Sequence, residues 1–167
     1  GQKMSKSRGN VVDPDEYAFM LYTSGTTAFP KGAMLSFDNL FHGAIQVSDW
    51  FKIEKSDKFY VVLPLHHINS TVFSLATILK NGSLVITPKY SKSNFFKHAA
   101  ETSATMSSIV PTINLDLLEE EESFKKYSSK IKLRRIQIGS APVSAKNASE
   151  FVEKYKIPLI QGYGSTE

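Results

Sequence analysis

The chain has 167 residues, 41% of them hydrophobic and 22% charged, a balance that suits one soluble globular domain with its own core. Its formal net charge of +4 is small, and no lysine- and arginine-rich block with interleaved aromatic residues indicates a nucleic-acid surface. The lack of cysteine excludes disulfides and thiol catalysis, and no apolar run is long enough to span a bilayer or to form a secretion signal, so we expect a cytoplasmic protein.

The chain begins with a polar arm. Residues 1–16 contain glycine and proline and show no helical apolar period, which predicts a loop or a disordered arm. The apolar run at residues 17–23 predicts a buried strand, followed by a loop that lasts until about Leu35. Ser36 is a suitable N-cap for a helix that ends near Trp50. The apolar face of this helix is predicted to contain Phe37, Leu40, Phe41, Ala44, Ile45 and Phe51.

Beyond Trp50, β-prone apolar runs alternate with helical periods. Predicted strands occupy residues 58–65, 83–88, 105–111, 133–142 and the start of 157–167. Predicted helices occupy residues 70–82, 93–104, 112–128 and 144–156. The second of these is predicted to begin at a Ser93 cap. This alternation predicts an α/β fold of βαβ units, in which a mostly parallel sheet is flanked by helices.

The segment "TSGTTAFPKG" at residues 23–32 lies between a predicted strand and a predicted helix. Its hydroxyl groups and exposed backbone N–H groups can donate to phosphate oxygens, its glycines allow close approach, and Lys31 adds positive charge. It is not a Walker A loop, because Pro30 stands where that pattern requires glycine before the lysine. The segment therefore predicts a polyphosphate site.

Three further segments follow strands at the points where a ligand could bind. "PLHHINS" contains His67, which on its own is as easily a local hydrogen-bonding residue as a pocket residue. "GSAPVS" at residues 139–144 is a small-residue turn with room for a flat ring. "QGYGSTE" at residues 161–167 offers an aromatic ring for stacking and a carboxylate that suits a hard cation.

These four segments, in this order, resemble those of the AMP-forming adenylate ligases, a family that includes acyl-CoA synthetases, luciferases and the adenylation domains of peptide synthetases. The resemblance covers residues 17–167 and departs from the family pattern at Ala28, where glycine is usual. It implies part of the N-terminal AMP-binding domain of a longer ligase. Such an enzyme uses ATP and Mg²⁺ to activate a small carboxylic acid as an acyl-adenylate, which it then transfers to a thiol such as coenzyme A.

The resemblance also implies roles for individual residues. Lys31, Thr166 and Glu167 would be catalytic, with Glu167 holding Mg²⁺, and His67 and Gly164 would line the acid pocket. The nucleotide-binding residues would be Thr23, Ser24, Gly25, Thr26, Thr27, Lys31, Gly32, Gly139, Ser140, Ala141, Pro142, Gly162, Tyr163, Gly164 and Thr166. We expect a chain that stops before the rest of the ligase to be inactive alone.

Residues 3–14, "KMSKSRGNVVDP", separately resemble a loop of class I aminoacyl-tRNA synthetases that contacts ATP phosphates. No His-x-Gly-His segment precedes this loop, so we interpret residues 1–16 as a foreign arm without a function here. Two alternatives stay open at this point: a piece of such a synthetase, and a non-catalytic module that binds a nucleotide. A strand at residues 17–27 that enters the phosphate loop would favour the ligase over the synthetase.

Overall fold

The computed structural model describes residues 13–23, 29 and 31–166. Most of the synthetase-like segment, most of the phosphate loop and Glu167 lie outside these residues. The elements in chain order are β1 (Tyr17–Thr23), β2 (Lys31–Ser36), α1 (Phe37–Trp50), β3 (Lys58–Val61), α2 (Ile68–Leu79), β4 (Ser83–Ile86), α3 (Phe95–Thr102), β5 (Met106–Ile109), α4 (Pro111–Leu118), α5 (Glu121–Tyr127), β6 (Arg135–Ile138), α6 (Ala145–Tyr155) and β7 (Leu159–Gln161).

Strands β3 to β7 form one parallel sheet in the order β4-β3-β5-β6-β7, which confirms the predicted α/β fold. The chain moves outward from β3 to β4 through α2 and then returns past β3 to β5 through α3. The strand order therefore reverses between β3 and β5. Ligands of open α/β sheets bind outside the carboxyl ends of the strands at such a reversal.

The core lies on both faces of this sheet. Alternate residues of β3 point to opposite sides, as the period of a strand requires. Phe59 packs with α1 and α2 and stacks on Phe73 at a centroid distance of 5.4 Å. Tyr60 packs on the other face with α3, α4 and α6, where Phe96 and Tyr155 lie 5.0 Å apart. Helices thus cover both faces and leave the strand ends to form a site.

Helix α1 begins as predicted. The Ser36 hydroxyl accepts a hydrogen bond from the Asn39 N–H at 3.2 Å, and the Asn39 side chain accepts from the Ser36 N–H at 3.1 Å. This reciprocal capping box satisfies two donors at the start of the helix. The predicted apolar face is only partly correct, because Leu40 and Ala44 are buried whereas Phe37 and Phe41 are exposed.

The first strand differs from the prediction. β1 has the predicted bounds but is mostly exposed, with Leu21 its only buried residue. It pairs in antiparallel fashion with β2, a strand that we predicted to be loop, and this hairpin is separate from the parallel sheet. The strand ends at Thr23, where the phosphate-loop segment begins, and residues 24–27 of the predicted strand lie outside the described residues. A strand at residues 17–23 favours the ligase interpretation over the synthetase one.

Two predicted helices are also interrupted. The first turn at residues 93–104 is a 3₁₀ turn over Lys92–Asn94, so that α3 begins after Asn94 rather than after a Ser93 cap. The helix predicted at residues 112–128 divides into α4 and α5, with Glu119 and Glu120 between them.

Candidate functional site

Two adjoining cavities open at the carboxyl edge of the sheet, where the strand order reverses. Their volumes are about 1010 Å³ and about 540 Å³. The larger cavity lies between α1, α2 and the residues that follow β7, and the smaller lies between β1, the residues that follow β3 and the same segment after β7. Both are lined by Ile68, Asn69, Ser140, Gly164, Ser165 and Thr166.

Several of the predicted site residues meet here although they are far apart in the sequence. Thr23, His67, Ser140, Gly164 and Thr166 all line the smaller cavity. No acidic residue lines this cavity among the described part of the chain. Five of its residues supply hydroxyl groups, Tyr22, Thr23, Ser140, Ser165 and Thr166, so its chemistry suits an anion. The larger cavity adds two predicted residues from the segment after β7, Gly162 and Tyr163.

The remaining predicted site residues that the structure describes do not line the cavities, and one of them, Gly139, directly follows β6. Lys31 and Gly32 begin β2 and line neither cavity, although the Thr23 hydroxyl donates to the Lys31 carbonyl at 3.4 Å across the hairpin. Ala141 and Pro142 are exposed beside the cavities. Ser24, Gly25, Thr26, Thr27 and Glu167 lie outside the described residues, so their roles stay predictions.

The ends of β6 and β7 approach each other closely because both carry glycine. The Gly162 N–H donates to the Ile138 carbonyl at 3.0 Å. A Cβ atom on Gly139 would lie 2.4 Å from the Gly162 carbonyl oxygen, so only glycine fits at this position. Ser140 then adopts a left-handed conformation with φ of 66°, which turns the chain toward the cavities.

Tyr163 is fully exposed, with a relative accessibility of 102%. It follows Gly162 at the mouth of the larger cavity and makes no aromatic contact within the described residues. An exposed phenol ring on a short loop presents a flat face on which a base can stack. The stacking role of Tyr163 stays a prediction.

A buried polar network beneath the two cavities was missed by the sequence analysis. Asn69 donates to the Gln137 side-chain oxygen at 3.1 Å, and the Ser108 hydroxyl donates to the Asn69 oxygen at 2.6 Å and also contacts Gln137. These residues join the start of α2 to β5 and β6. Ser108 and Gln137 are almost fully buried. The signal was a glutamine between two isoleucines in a predicted strand, a pattern that indicates a hydrogen-bonded interior position.

The two histidines that follow β3 are exposed, and their rings lie 4.5 Å apart. His67 precedes the first residue of α2, and its side chain makes no capping hydrogen bond. The ring is therefore available to the smaller cavity that it lines.

Within the part of the chain that the structure describes, no group of three or more His, Cys, Asp or Glu residues could hold a metal ion. None of the described helices is long and apolar enough to cross a membrane.

Known proteins resemble the chain over nearly its whole length. It is 32% identical to a probable CoA ligase, CCL9, from Humulus lupulus over 158 residues, and 32% identical to an oxalate–CoA ligase from Arabidopsis thaliana over 160 residues. These matches cover 93% and 94% of this chain, and 30% and 31% of the relatives. The crystal structure of ATP-bound MatB from Rhodopseudomonas palustris has a TM-score of 0.82 and 32% identity, covering 93% of this chain and 30% of that one.

The chain thus spans about a third of the length of the relatives it matches. The sequence pattern of the AMP-binding enzymes matches residues 2–167. This range includes most of the N-terminal arm, whose foreign origin stays a prediction. Nothing in these comparisons favours the synthetase alternative. The fold, the order of the four segments and the family pattern agree, and the chain belongs to the AMP-binding enzyme family.

Proposed function

We propose that this chain supplies the nucleotide-binding part of an ATP-dependent acid–CoA ligase. The observation that carries the proposal is the meeting of Thr23, Ser140 and Thr166 at the carboxyl edge of the sheet, beside an exposed Tyr163. The ligase would join a carboxylate to the α-phosphate of ATP, releasing pyrophosphate, and would then transfer the acyl group to coenzyme A. The names of the relatives, CoA ligases, support the choice of acceptor.

The roles of the residues follow from the charge of ATP. A carboxylate that attacks a phosphate brings two anions together, so the site must offset negative charge before the bond can form. The hydroxyl groups of Thr23 and Thr166, Lys31 and the glycine- and threonine-rich segment at residues 24–27 would serve this purpose. Tyr163 would stack on adenine against the turn formed by Gly139, Ser140, Ala141 and Pro142.

Mg²⁺ in nucleotide sites is usually held by one or two carboxylates together with the phosphates. The smaller cavity fits that arrangement. Its described lining residues include hydroxyl groups but no carboxylate, so the phosphate oxygens would supply most of the ligands to Mg²⁺. Glu167 would supply the carboxylate. When bound, Mg²⁺ would neutralise charge on the phosphates.

The acid would lie near His67 and Gly164. A Cβ atom added to Gly164 would meet nothing within 4 Å, so this position leaves open space beside the reacting carboxylate. Because ATP and coenzyme A are both abundant in the cytoplasm, we propose that the reaction takes place there, with no part for a nucleic acid.

Replacing Tyr163 with alanine tests the proposal. We expect the affinity of the chain for ATP to fall by about 5- to 150-fold, because stacking of one base on an aromatic ring contributes about 1–3 kcal/mol. Stability should not change, since the side chain is fully exposed. Isothermal titration calorimetry with ATP measures the affinity directly.

Two variants serve as controls for this titration. Tyr163→Phe keeps the ring and should bind ATP as the unmodified chain does. Tyr17→Ala removes another exposed tyrosine, one that lines neither cavity, and should also leave binding intact. Equal affinities for ATP in the Tyr163→Ala and unmodified chains would refute the stacking role.

A further inference from the structure

The amino edge of the parallel sheet carries an excess of positive charge. We define this edge as the first residue of each strand from β3 to β7 with the loop before it, residues 51–58, 80–83, 103–106, 131–135 and 156–159. Its eight basic residues are Lys52, Lys55, Lys58, Lys80, Lys132, Arg134, Arg135 and Lys156, and its two acidic residues are Glu54 and Asp57. The excess is larger than the net charge of +4 of the whole chain.

The sheet topology brings these residues together. Because all five strands are parallel, the loops before them lie at one edge. Direct hydrogen bonds confirm the proximity: the Thr105 N–H donates to the Lys58 carbonyl at 2.9 Å, and the Arg134 N–H donates to the Thr105 carbonyl at 2.9 Å. Arg134 and Arg135 both donate to the carbonyl of Lys52, although they lie 82 and 83 residues from it in the sequence.

The two arginines are engaged with the protein itself. Arg134 pairs with Asp57, which is almost fully buried. The Arg135 guanidinium lies 5.0 Å from the centre of the Phe51 ring. Burial, and then the neighbouring charge of Arg134, lower the pKa of Arg135. The two guanidinium groups therefore repel each other at this edge. An anion bound outside this edge would relieve that repulsion.

The exposed charges of the edge are lysines. Lys52, Lys55, Lys58, Lys132 and Lys156 are exposed and form no ion pair with a carboxylate of the described residues, whereas Lys80 pairs with Asp49 at 2.9 Å. Lysine is a flexible point charge that attracts anions without demanding one geometry. These side chains come from separate loops and therefore cover a broad surface rather than a cleft.

No large apolar side chain of the described residues is exposed at this edge. Stable protein–protein interfaces usually have a central apolar or aromatic anchor, which this surface lacks. A layer of lipid headgroups needs no such anchor, because basic residues near an anionic membrane contribute about 1 kcal/mol each. The absence of interleaved aromatic residues likewise disfavours single-stranded nucleic acid.

We propose that the amino edge docks the protein on an anionic phospholipid surface. The two cavities lie at the opposite edge, about 13 Å away for strands of four residues, so docking leaves them open to ligands. The contact is peripheral and electrostatic. It therefore weakens as salt shortens the range of the charges, to about 8 Å at physiological ionic strength.

Vesicle co-sedimentation of the purified chain tests the proposal. We expect binding to phosphatidylcholine vesicles that contain about one third phosphatidylserine, and little binding to pure phosphatidylcholine. The triple variant Lys52→Gln, Lys55→Gln and Lys132→Gln should bind the anionic vesicles at least tenfold more weakly, and about 0.5 M salt should have a similar effect on the unmodified chain.

The matched control is the triple variant Lys89→Gln, Lys126→Gln and Lys146→Gln. It removes the same charge from exposed lysines outside the amino edge and should keep its vesicle binding. Circular dichroism should show that both variants fold. Equal losses in the two triple variants would mean that only net charge matters and would overturn the proposal. Binding to poly-L-glutamate without binding to anionic vesicles would instead assign the edge to an acidic protein and would also overturn it.

Discussion

Replacing Asp57 with alanine should lower the free energy of unfolding by about 3 kcal/mol, the upper end of the cost of leaving buried hydrogen-bond donors without their acceptor. Asp57 is 1% exposed and accepts four hydrogen bonds. Arg134 Nε donates to it at 2.8 Å, the Glu54 N–H at 2.8 Å and the Thr105 hydroxyl at 2.7 Å, and Arg134 Nη2 completes the set. The variant leaves these donors without an acceptor at the start of β3, β5 and β6.

The pH dependence provides a second observation of the same pair. Burial acts to raise the pKa of Asp57, but the hydrogen bonds from Arg134, Glu54 and Thr105 outweigh it and hold this pKa below its ordinary value. A carboxyl whose pKa is depressed by folding stabilises the protein above its unfolded pKa, and this contribution is lost as the pH falls through the folded pKa. The difference in stability between wild type and Asp57→Ala should therefore narrow as the pH falls below about 4.

Urea unfolding, followed by the fluorescence of the single tryptophan, measures both effects. Asp49→Ala is the matched control. Asp49 also pairs with a basic residue, Lys80, at 2.9 Å, but on the surface, where solvent screens the pair. We expect its loss to have little effect, and a similar loss of stability in the two variants would contradict the special role of the buried pair.

Replacing Gly139 with alanine should also be costly, by about 1–3 kcal/mol, the range for a side chain forced into a packed site. The new Cβ atom would lie 2.4 Å from the Gly162 carbonyl oxygen and 2.7 Å from Gln137 Nε2. The glutamine amide can move, but the backbone oxygen can do so only if the ends of β6 and β7 separate. Because Ser140, Gly162 and Tyr163 line the cavities, ATP binding should weaken together with stability.

Gly164→Ala is the control for this substitution. It adds the same methyl group two residues beyond Gly162, where a Cβ atom would meet nothing within 4 Å. Chemical denaturation should show an unchanged midpoint for Gly164→Ala and a lowered one for Gly139→Ala. If both variants unfold at the midpoint of the unmodified chain, the close approach of β6 and β7 is not a constraint on this fold.

The parallel sheet was predictable from the sequence because each strand and helix after Trp50 has its own local pattern. Ser36 is another local signal, since a capping residue and the donors it satisfies lie within one turn. The hairpin was not predictable in this way. The six residues of β2 include glycine, lysine and serine and none of them is buried, so their pairing with β1 rather than their composition makes them a strand.

The division between α4 and α5 has an electrostatic cause that is visible in the sequence. A run of four glutamates at residues 119–122 places negative charge at the carboxyl end of α4, where the helix dipole disfavours it. The same charge is favourable at the start of α5, which has Glu121 and Glu122 in its first turn and two lysines in its last. Apolar periodicity alone runs through this point and predicts one helix.

The candidate site was likewise predictable only in part. Motif resemblance identified Thr23, His67, Ser140 and Thr166, and the structure brings them to one cavity. The network of Asn69, Ser108 and Gln137 was missed because its three members come from different elements, and only Gln137, between two isoleucines, has a signal in the sequence. Local sequence patterns do not predict contacts between residues that are distant in the sequence.

The central claim is that ATP binds at the carboxyl edge of the sheet. The most direct measurement is a titration of the ¹⁵N-labelled chain with ATP and Mg²⁺, followed by amide chemical shifts. We predict shifts that concentrate at Thr23, Lys31, Ser140 and the residues from Gly162 to Thr166, and that leave Lys132 at the opposite edge unchanged. An absence of shifts at saturating ATP, or shifts confined to the amino edge, would contradict the claim.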